Sequence, residues 1–132
     1  MFINTKYRTS NPEIMDDFNM EGKEKKNALD KISKINRLLG GNKITLDGIK
    51  ELIKNNEKQN EITILDVGCG NGDMLRSLAE YAESNNLKFK LIGIDANNYT
   101  VNYARQLSVI YPNIKYHCQD IFTESFKELK YD

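Results

Sequence analysis

The sequence has few cysteines, no excess of charge of either sign and no long apolar segment. Cys69 and Cys118 are the only cysteines, too few for a disulfide framework, so we expect a reduced, cytoplasmic protein. The 19 basic and 19 acidic residues cancel, which gives no electrostatic reason to expect a nucleic-acid partner. No apolar run approaches the roughly 20 residues that span a bilayer. No secretory signal is visible at the start, so no membrane partner is expected either.

Length and composition are those of one modest globular domain. Of the 132 residues, 39% are hydrophobic and 29% are charged, which is ordinary for a folded domain with a single core. We predict one domain over residues 1–132, made of a polar arm (1–20), two N-terminal helices (21–58) and an α/β core (62–124).

Two amphipathic segments precede the core. Leu29, Ile32 and Ile35 recur at three-residue steps, and this spacing predicts a helix over residues 21–39 that the following glycine pair ends. The charged run "EGKEKK" (21–26) is predicted to form the solvent face of that helix. The stretch "ITLDGIKELIKNN" predicts a second helix, with Thr45 as its N-cap.

The pattern changes at residue 61, where short β-branched runs begin to alternate with helical segments. "EITILDV", "FKLIGID" and "NIKYHCQD" are predicted strands, and "GDMLRSLAEYAESNN" and "YTVNYARQLSVIY" are the predicted helices between them. A β-α-β-α-β order predicts an α/β fold with a three-stranded parallel sheet and right-handed crossovers.

The segment "LDVGCGNGD" has three glycines in five positions directly after the first predicted strand. Ligands of open parallel sheets bind beyond the carboxyl ends of the strands, and glycine lets the backbone approach a ligand closely. The dinucleotide fingerprint is G-x-G-x-x-G, whereas here the spacing is G-x-G-x-G with Asp66 two residues before Gly68. A carboxylate at that point suits a cationic ligand better than a pyrophosphate. The alternative is a tight turn that binds nothing.

Three motifs together resemble one family. "ILDVGCGNGDMLRSLA" resembles motif I of the class I, Rossmann-like S-adenosylmethionine-dependent methyltransferases, with matches at Asp66, Gly68, Gly70 and Gly72. "LIGIDAN" resembles the second motif and "CQDIF" the third. The resemblance covers about residues 62–124, and it implies a sheet with strand order 3-2-1.

The resemblance also implies a cofactor and a set of residues that bind it. S-adenosylmethionine is the expected cofactor, with Asp95 accepting both ribose hydroxyls, Asp120 accepting from the adenine amino group and Ile121 holding the edge of the ring. No metal is expected. The predicted cofactor-binding residues are Asp66, Gly68, Cys69, Gly70, Asn71, Gly72, Asp95, Ala96, Asp120 and Ile121.

The function implied is methyl transfer to a small-molecule acceptor, and no catalytic residue can be named. The sequence ends at what looks like the start of the family's fourth strand, so it resembles the N-terminal, cofactor-binding part of a methyltransferase and is expected to be inactive alone. One alternative is a non-catalytic S-adenosylmethionine-binding module or subunit. A weaker alternative is an NAD-linked oxidoreductase.

Several of these residues also have plainer interpretations. Asp95 could cap a helix, Asp120 could be a turn residue, and Cys69 fits a small buried residue better than a nucleophile. His117, the only histidine, is interpreted as an ordinary strand residue because no metal-ligand cluster accompanies it. A further group could line a substrate entrance, although a solvated arm is the favoured interpretation: Tyr7, Arg8, Asp16 and Asp17.

With the later strands of the family absent, the first strand becomes the edge of the sheet. The opposite face of the sheet is expected to be bare unless the helix at 21–39 covers it. An exposed apolar edge or face favours pairing with another chain, so we predict self-association through residues 62–67 or through that face.

Overall fold

The computed structural model describes residues 22–54 and 61–122; the predicted arm (1–20) and the last two residues of the predicted core (123–124) lie outside them. The elements in chain order are α1 (Gly22–Leu38), α2 (Gly41–Lys54), β1 (Ile62–Val67), α3 (Asp73–Ser84), β2 (Phe89–Asp95), α4 (Asn98–Leu107) and β3 (Ile114–Cys118). Two helices followed by a β-α-β-α-β unit confirm the predicted α/β fold. None of the described helices is long and apolar enough to cross a bilayer.

The three strands form one parallel sheet in the order β1-β2-β3, which confirms the predicted order 3-2-1. Val67 is aligned with Ile94, and Asp95 with Cys118. The carboxyl ends of all three strands therefore meet at one edge of the sheet, where the glycine cluster follows β1.

The core lies between the sheet and helices α3 and α4. It includes Cys69, Leu75, Leu78, Ala79, Ala82, Phe89, Leu91, Val101, Ala104 and Tyr116. A Cβ on Gly93 would lie 2.7 Å from the Tyr116 Cδ1 and 2.8 Å from the Leu75 Cδ1. Only glycine therefore lets the side chains of α3 and β3 meet over the centre of the sheet.

Helices α1 and α2 pack on the other helices. Helix α1 contacts α2 and α4, and α2 contacts α3, so the pair lies on the helical side of the sheet. The face of the sheet away from the helices was expected to be bare. This expectation is wrong for the centre of that face, where Ile92 and Ile94 of β2 are only 6% and 0% exposed.

The N-terminal helices differ from prediction in two details. Gly40 adopts a left-handed φ of 76°, and Ile44 N donates to Gly40 O. Helix α2 therefore begins at Gly41, and Thr45 lies inside it rather than at its N-cap. Lys25 is only 2% exposed, contrary to the predicted solvent face, because it shares the inward side of α1 with Leu29, one turn later.

Helix α4 is shorter than the predicted 99–111. Ser108 N donates to the carbonyls of Ala104 and Arg105, and Tyr111 N donates to Ser108 O in a separate turn. Tyr111 precedes Pro112, and the residue before a proline is disfavoured in the helical conformation. The apolar periodicity continued past the point where the helix ends.

Candidate functional site

The turn after β1 has an unusual backbone. Gly68, Gly70 and Gly72 have φ angles of 75°, 53° and 78°, a region that favours glycine. The N–H groups of Gly68 and Cys69 both donate to Ile94 O, at 2.9 and 3.0 Å. The turn is therefore fastened to the neighbouring strand at the carboxyl edge of the sheet.

Two of these glycines have different reasons to lack a side chain. A Cβ on Gly72 would lie 2.8 Å from the Tyr116 Cζ, so packing within the protein alone requires glycine there. A Cβ on Gly68 would meet no atom of residues 22–54 or 61–122 within 4 Å. The space in front of Gly68 is open, and a ligand could approach its backbone there.

Asp95 ends β2 beside the turn. Its Oδ2 accepts from Gly70 N at 3.3 Å, and its Oδ1 accepts from Asn97 N at 3.0 Å. The residue that caps α4 is Asn97, whose side chain accepts from Thr100 N at 2.8 Å. The helix-cap interpretation of Asp95 is therefore wrong, and each oxygen of its carboxylate has capacity for a further donor.

Asp66, one residue before the end of β1, lies in a region of concentrated negative charge. Burial raises the pKa of its carboxyl, and the carboxylates of Asp73 and Asp95 raise this pKa further. A cationic ligand nearby would offset both effects by favouring the ionised form. The electrostatics agree with the cationic ligand predicted from the position of this acid.

The turn is also bonded to the N-terminal helices. Ser33 Oγ donates to Asn71 Oδ1 at 2.8 Å, and Asn42 Nδ2 donates to Asp73 Oδ2 at 2.9 Å. From the far side, Arg76 Nη1 donates to the Asn71 carbonyl at 2.6 Å. Sequence reasoning missed Ser33 and Asn42; only the position of Asn42, directly after the glycine pair that separates the helices, could have drawn attention to it.

Cys69 and His117 both agree with their plainer interpretations. Cys69 is buried, as predicted for a small buried residue, and burial strongly raises the pKa of its thiol. His117 is an exposed residue of β3, as predicted. In the described part of the chain, no group of three or more His, Cys, Asp or Glu residues could hold a metal ion.

Two cavities meet at Gly68. The first, of about 360 Å³, lies between the turn and the N-terminal helices, and the second, of about 230 Å³, lies along the ends of the strands. The helix-side cavity is lined by Leu29, Ile32, Ser33, Asn36, Gly41, Asn42, Thr45, Asp66, Gly68, Cys69, Gly70, Asn71, Asp73 and Met74. The strand-side cavity is lined by Val67, Gly68, Ile94, Asp95, Ala96, Gln119, Asp120, Ile121 and Phe122.

The structure brings nine of the ten predicted residues to these cavities; Gly72 lines neither. Asp120 Oδ1 accepts from Phe122 N at 2.9 Å, so the turn interpretation describes one of its contacts, while the residue also lines the strand-side cavity. Phe122, which sequence reasoning missed, lines the same cavity and is 91% exposed. The four polar residues proposed for a substrate entrance, between positions 7 and 17, lie outside the described residues.

Comparison with known families decides the relationship. Residues 58–132, more than half of the chain, match the family described as the methyltransferase domain. The chain belongs to this family. The predicted relationship is confirmed, and the glycine turn of this methyltransferase domain lies within the matched residues.

One solved structure supports the fold. The domain is similar to the DszA carbon methyltransferase, with a TM-score of 0.60, 17% identity and coverage of 76% of this chain and 28% of that one. Two further matches have lower TM-scores. Coclaurine N-methyltransferase bound to N-methylheliamine and SAH has a TM-score of 0.45 and 17% identity, with 60% of this chain and 23% of that one covered. A SAM-dependent methyltransferase from Geobacter sulfurreducens has a TM-score of 0.35 and 17% identity, with 79% of this chain and 32% of that one covered. The domain therefore spans less than a third of the DszA chain. No curated protein matches it.

Proposed function

We propose that the whole protein binds S-adenosylmethionine at the glycine turn and transfers its methyl group to a small-molecule acceptor. One observation carries the proposal: Asp66 and Asp95, from two adjacent strand ends, converge on the open backbone of Gly68, where the two cavities meet. One carboxylate can pair with a cationic group of a ligand, and the other can accept hydrogen bonds from a diol. The backbone between them leaves room for the ligand.

The two cavities suit different ends of the cofactor. In the strand-side cavity, the Asp95 carboxylate would accept from the ribose hydroxyls, since two acceptor oxygens can take two O–H donors. Ile121 and Phe122 offer apolar surface for the adenine ring, and Asp120 an acceptor for its amino group. On the helix side of Gly68, the Asp66 carboxylate would pair with the ammonium group.

When bound, the cofactor supplies an electrophilic methyl group on a sulfonium. The role of the protein is then to align the methyl donor with the acceptor and to keep water out of the site. Helices α1 and α2 contribute by walling the helix-side cavity, held there by the Ser33–Asn71 and Asn42–Asp73 hydrogen bonds. Among the described residues lining either cavity there is no histidine, lysine or tyrosine, so we assign no general base.

Calorimetric titration with S-adenosylhomocysteine and with NAD tests the cofactor assignment. We expect S-adenosylhomocysteine to bind more tightly, because the site offers carboxylates where a pyrophosphate would need donors. Tighter binding of NAD would overturn the proposal. Glu83→Gln, at an exposed position near the far end of α3, is the matched control and should leave both affinities unchanged.

We also propose a reducing compartment such as the cytoplasm for this protein. Cys69 and Cys118 are both free thiols, which is typical of proteins kept reduced.

A further inference from the structure

The helix-side cavity has a mixed lining that bears on which acceptor it takes, an inference that rests on the function proposed above. Leu29, Ile32 and Met74 provide apolar surface, and α1 and α2 add four uncharged polar side chains. With a volume of about 360 Å³, it has room equivalent to roughly twelve waters at ~30 Å³ each. The amino-acid end of the cofactor would take part of this space, so the acceptor must be small.

The four polar side chains of the helix wall divide into two pairs. Ser33 and Asn42 are committed to the turn, through their hydrogen bonds to Asn71 and Asp73. Asn36 and Thr45 also line the cavity, but neither side chain hydrogen-bonds to another residue in the described ranges 22–54 and 61–122. Both residues are exposed to solvent, so their side chains are available to a molecule in the cavity, as donors and acceptors without net charge.

The charges of the lining disfavour an anionic acceptor. Among the described lining residues, Asp66 and Asp73 are the only ones with a charged side chain, and none is a lysine, arginine or histidine. A carboxylate or phosphate placed here would be repelled by two like charges and would gain no cationic partner.

Each of the two carboxylates already has a partner that offsets its charge, which weakens its attraction for a cationic acceptor. Asp73 accepts from Asn42 Nδ2 and lies in the first turn of α3, where the helix dipole offsets a negative charge. Asp66 would be paired with the ammonium group of the cofactor.

We propose that the acceptor is a small uncharged molecule, with an apolar body and a hydroxyl or carbonyl group, bound in the helix-side cavity. Leu29, Ile32 and Met74 contact its body, and Asn36 and Thr45 hydrogen-bond to its polar group. Asn36 and Thr45 are thus specificity-determining residues of the acceptor side.

Three probes of nearly equal size separate the charge classes: 3-phenylpropan-1-ol, 3-phenylpropylamine and 3-phenylpropionate. Each is titrated into the protein saturated with S-adenosylhomocysteine, and its dissociation constant is read from amide chemical shifts. We expect the alcohol to bind about tenfold more tightly than either ion, since Asp66 and Asp73 repel the carboxylate and their charges are already offset when the amine binds. Tighter binding of the amine or of the carboxylate would overturn the proposal, as would binding of none of the three.

A charge introduced at Asn36 tests the location. In Asn36→Asp the amine should gain about fivefold in affinity, the difference between a neutral and a charge-assisted hydrogen bond. Asn27→Asp, at an exposed position of α1 that does not line the cavity, is the control. An equal gain in both variants, or in neither, would show that the probe binds elsewhere and would overturn the proposal.

The binding of S-adenosylhomocysteine is measured first and separates the two proposals. If it does not bind, the proposed cofactor is wrong. If it binds normally and the probes show another preference, only the acceptor class is wrong.

Discussion

Asp66 combines a cost to folding with a role in binding. Burial, followed by the carboxylates of Asp73 and Asp95, raises the pKa of its carboxyl above the ordinary 3.8. An acid whose pKa is raised in the folded state binds more protons there than in the unfolded chain. The stability associated with the protonated Asp66 carboxyl is therefore fully present below pH 3.8. It is lost as the pH rises through the folded-state pKa, so the free energy of unfolding falls over that range.

Replacing this acid should make the protein more stable and a poorer binder. Asp66→Asn removes a half-buried charge at neutral pH, and we expect the unfolding free energy to rise by about 0.5–2 kcal/mol, the usual size of a stabilising change. Binding of S-adenosylhomocysteine should weaken. Urea unfolding at pH 7 and at pH 3, with calorimetry at pH 7, checks both effects. A less stable variant at pH 7 would mean that Asp66 makes favourable contacts in the absence of ligand.

Asp95 should matter more for binding than for folding. Asp95→Ala would remove two hydrogen bonds to an ionised group, each worth about 1.5–3 kcal/mol, so S-adenosylhomocysteine should bind more than about tenfold more weakly. Because its carboxylate also accepts from Gly70 N and Asn97 N, a modest loss of stability should accompany this. Calorimetry and thermal unfolding, with Glu83→Ala as the control, measure the two effects. An unchanged dissociation constant would reduce Asp95 to a support of the turn.

At the scale of residues, spacing along the chain predicted which residues form the turn. It did not predict why each of those positions has the residue it has. The interval between Asp66 and the glycines indicated a ligand site, and the open space at Gly68 agrees with it. Gly72 is a glycine because Tyr116, from β3, lies against it. Ser33 reaches Asn71 across 38 positions. Neither contact has a local signal, since both depend on how distant elements pack.

At the scale of elements, the strands were predicted more closely than the helix ends. Each predicted strand matches the observed one within two residues, because β-branched runs flanked by polar or glycine residues have clear limits. The predicted N-cap at Thr45 and the predicted end of α4 were wrong, because a capping residue and an apolar period express only local preferences. The left-handed Gly40 and Pro112 decide where those helices begin and end.

The link between α1 and the turn should be measurable as local stability. Ser33→Ala removes the hydrogen bond to Asn71 Oδ1, and we expect the unfolding free energy to fall by about 0.5–1.5 kcal/mol. Amide hydrogen exchange should accelerate in α1 and much less in α3, because α3 is held by the core. Ser84→Ala, at an exposed position at the end of α3, is the control. Equal acceleration in both helices would show that α1 does not open as a separate unit.

At the scale of the whole molecule, β1 lies at the edge of the sheet formed by the described strands. Among the described strands only β2 pairs with it. Ile62 N and Gly68 N both donate towards β2; since strand N–H groups alternate in direction, Leu65 N–H points to the other side. The half-buried Leu65 and the 49% exposed Val67 give this edge an apolar character, which favours pairing with another strand.

We therefore propose that the chain self-associates through β1, most simply as a two-fold dimer with the two strands antiparallel. Of the two surfaces considered from sequence, the edge is the better supported, because the centre of the opposite face is buried. Sedimentation velocity over a range of micromolar concentrations should show a dimer whose fraction rises with concentration. Leu65→Pro should shift it to monomer while keeping the β1–β2 ladder, since proline is tolerated where the N–H faces away from the sheet. Ile64→Pro, whose N–H points to β2, should instead unfold the domain. A folded wild-type monomer at every concentration would overturn the proposal, and so would a dimer that persists in folded Leu65→Pro.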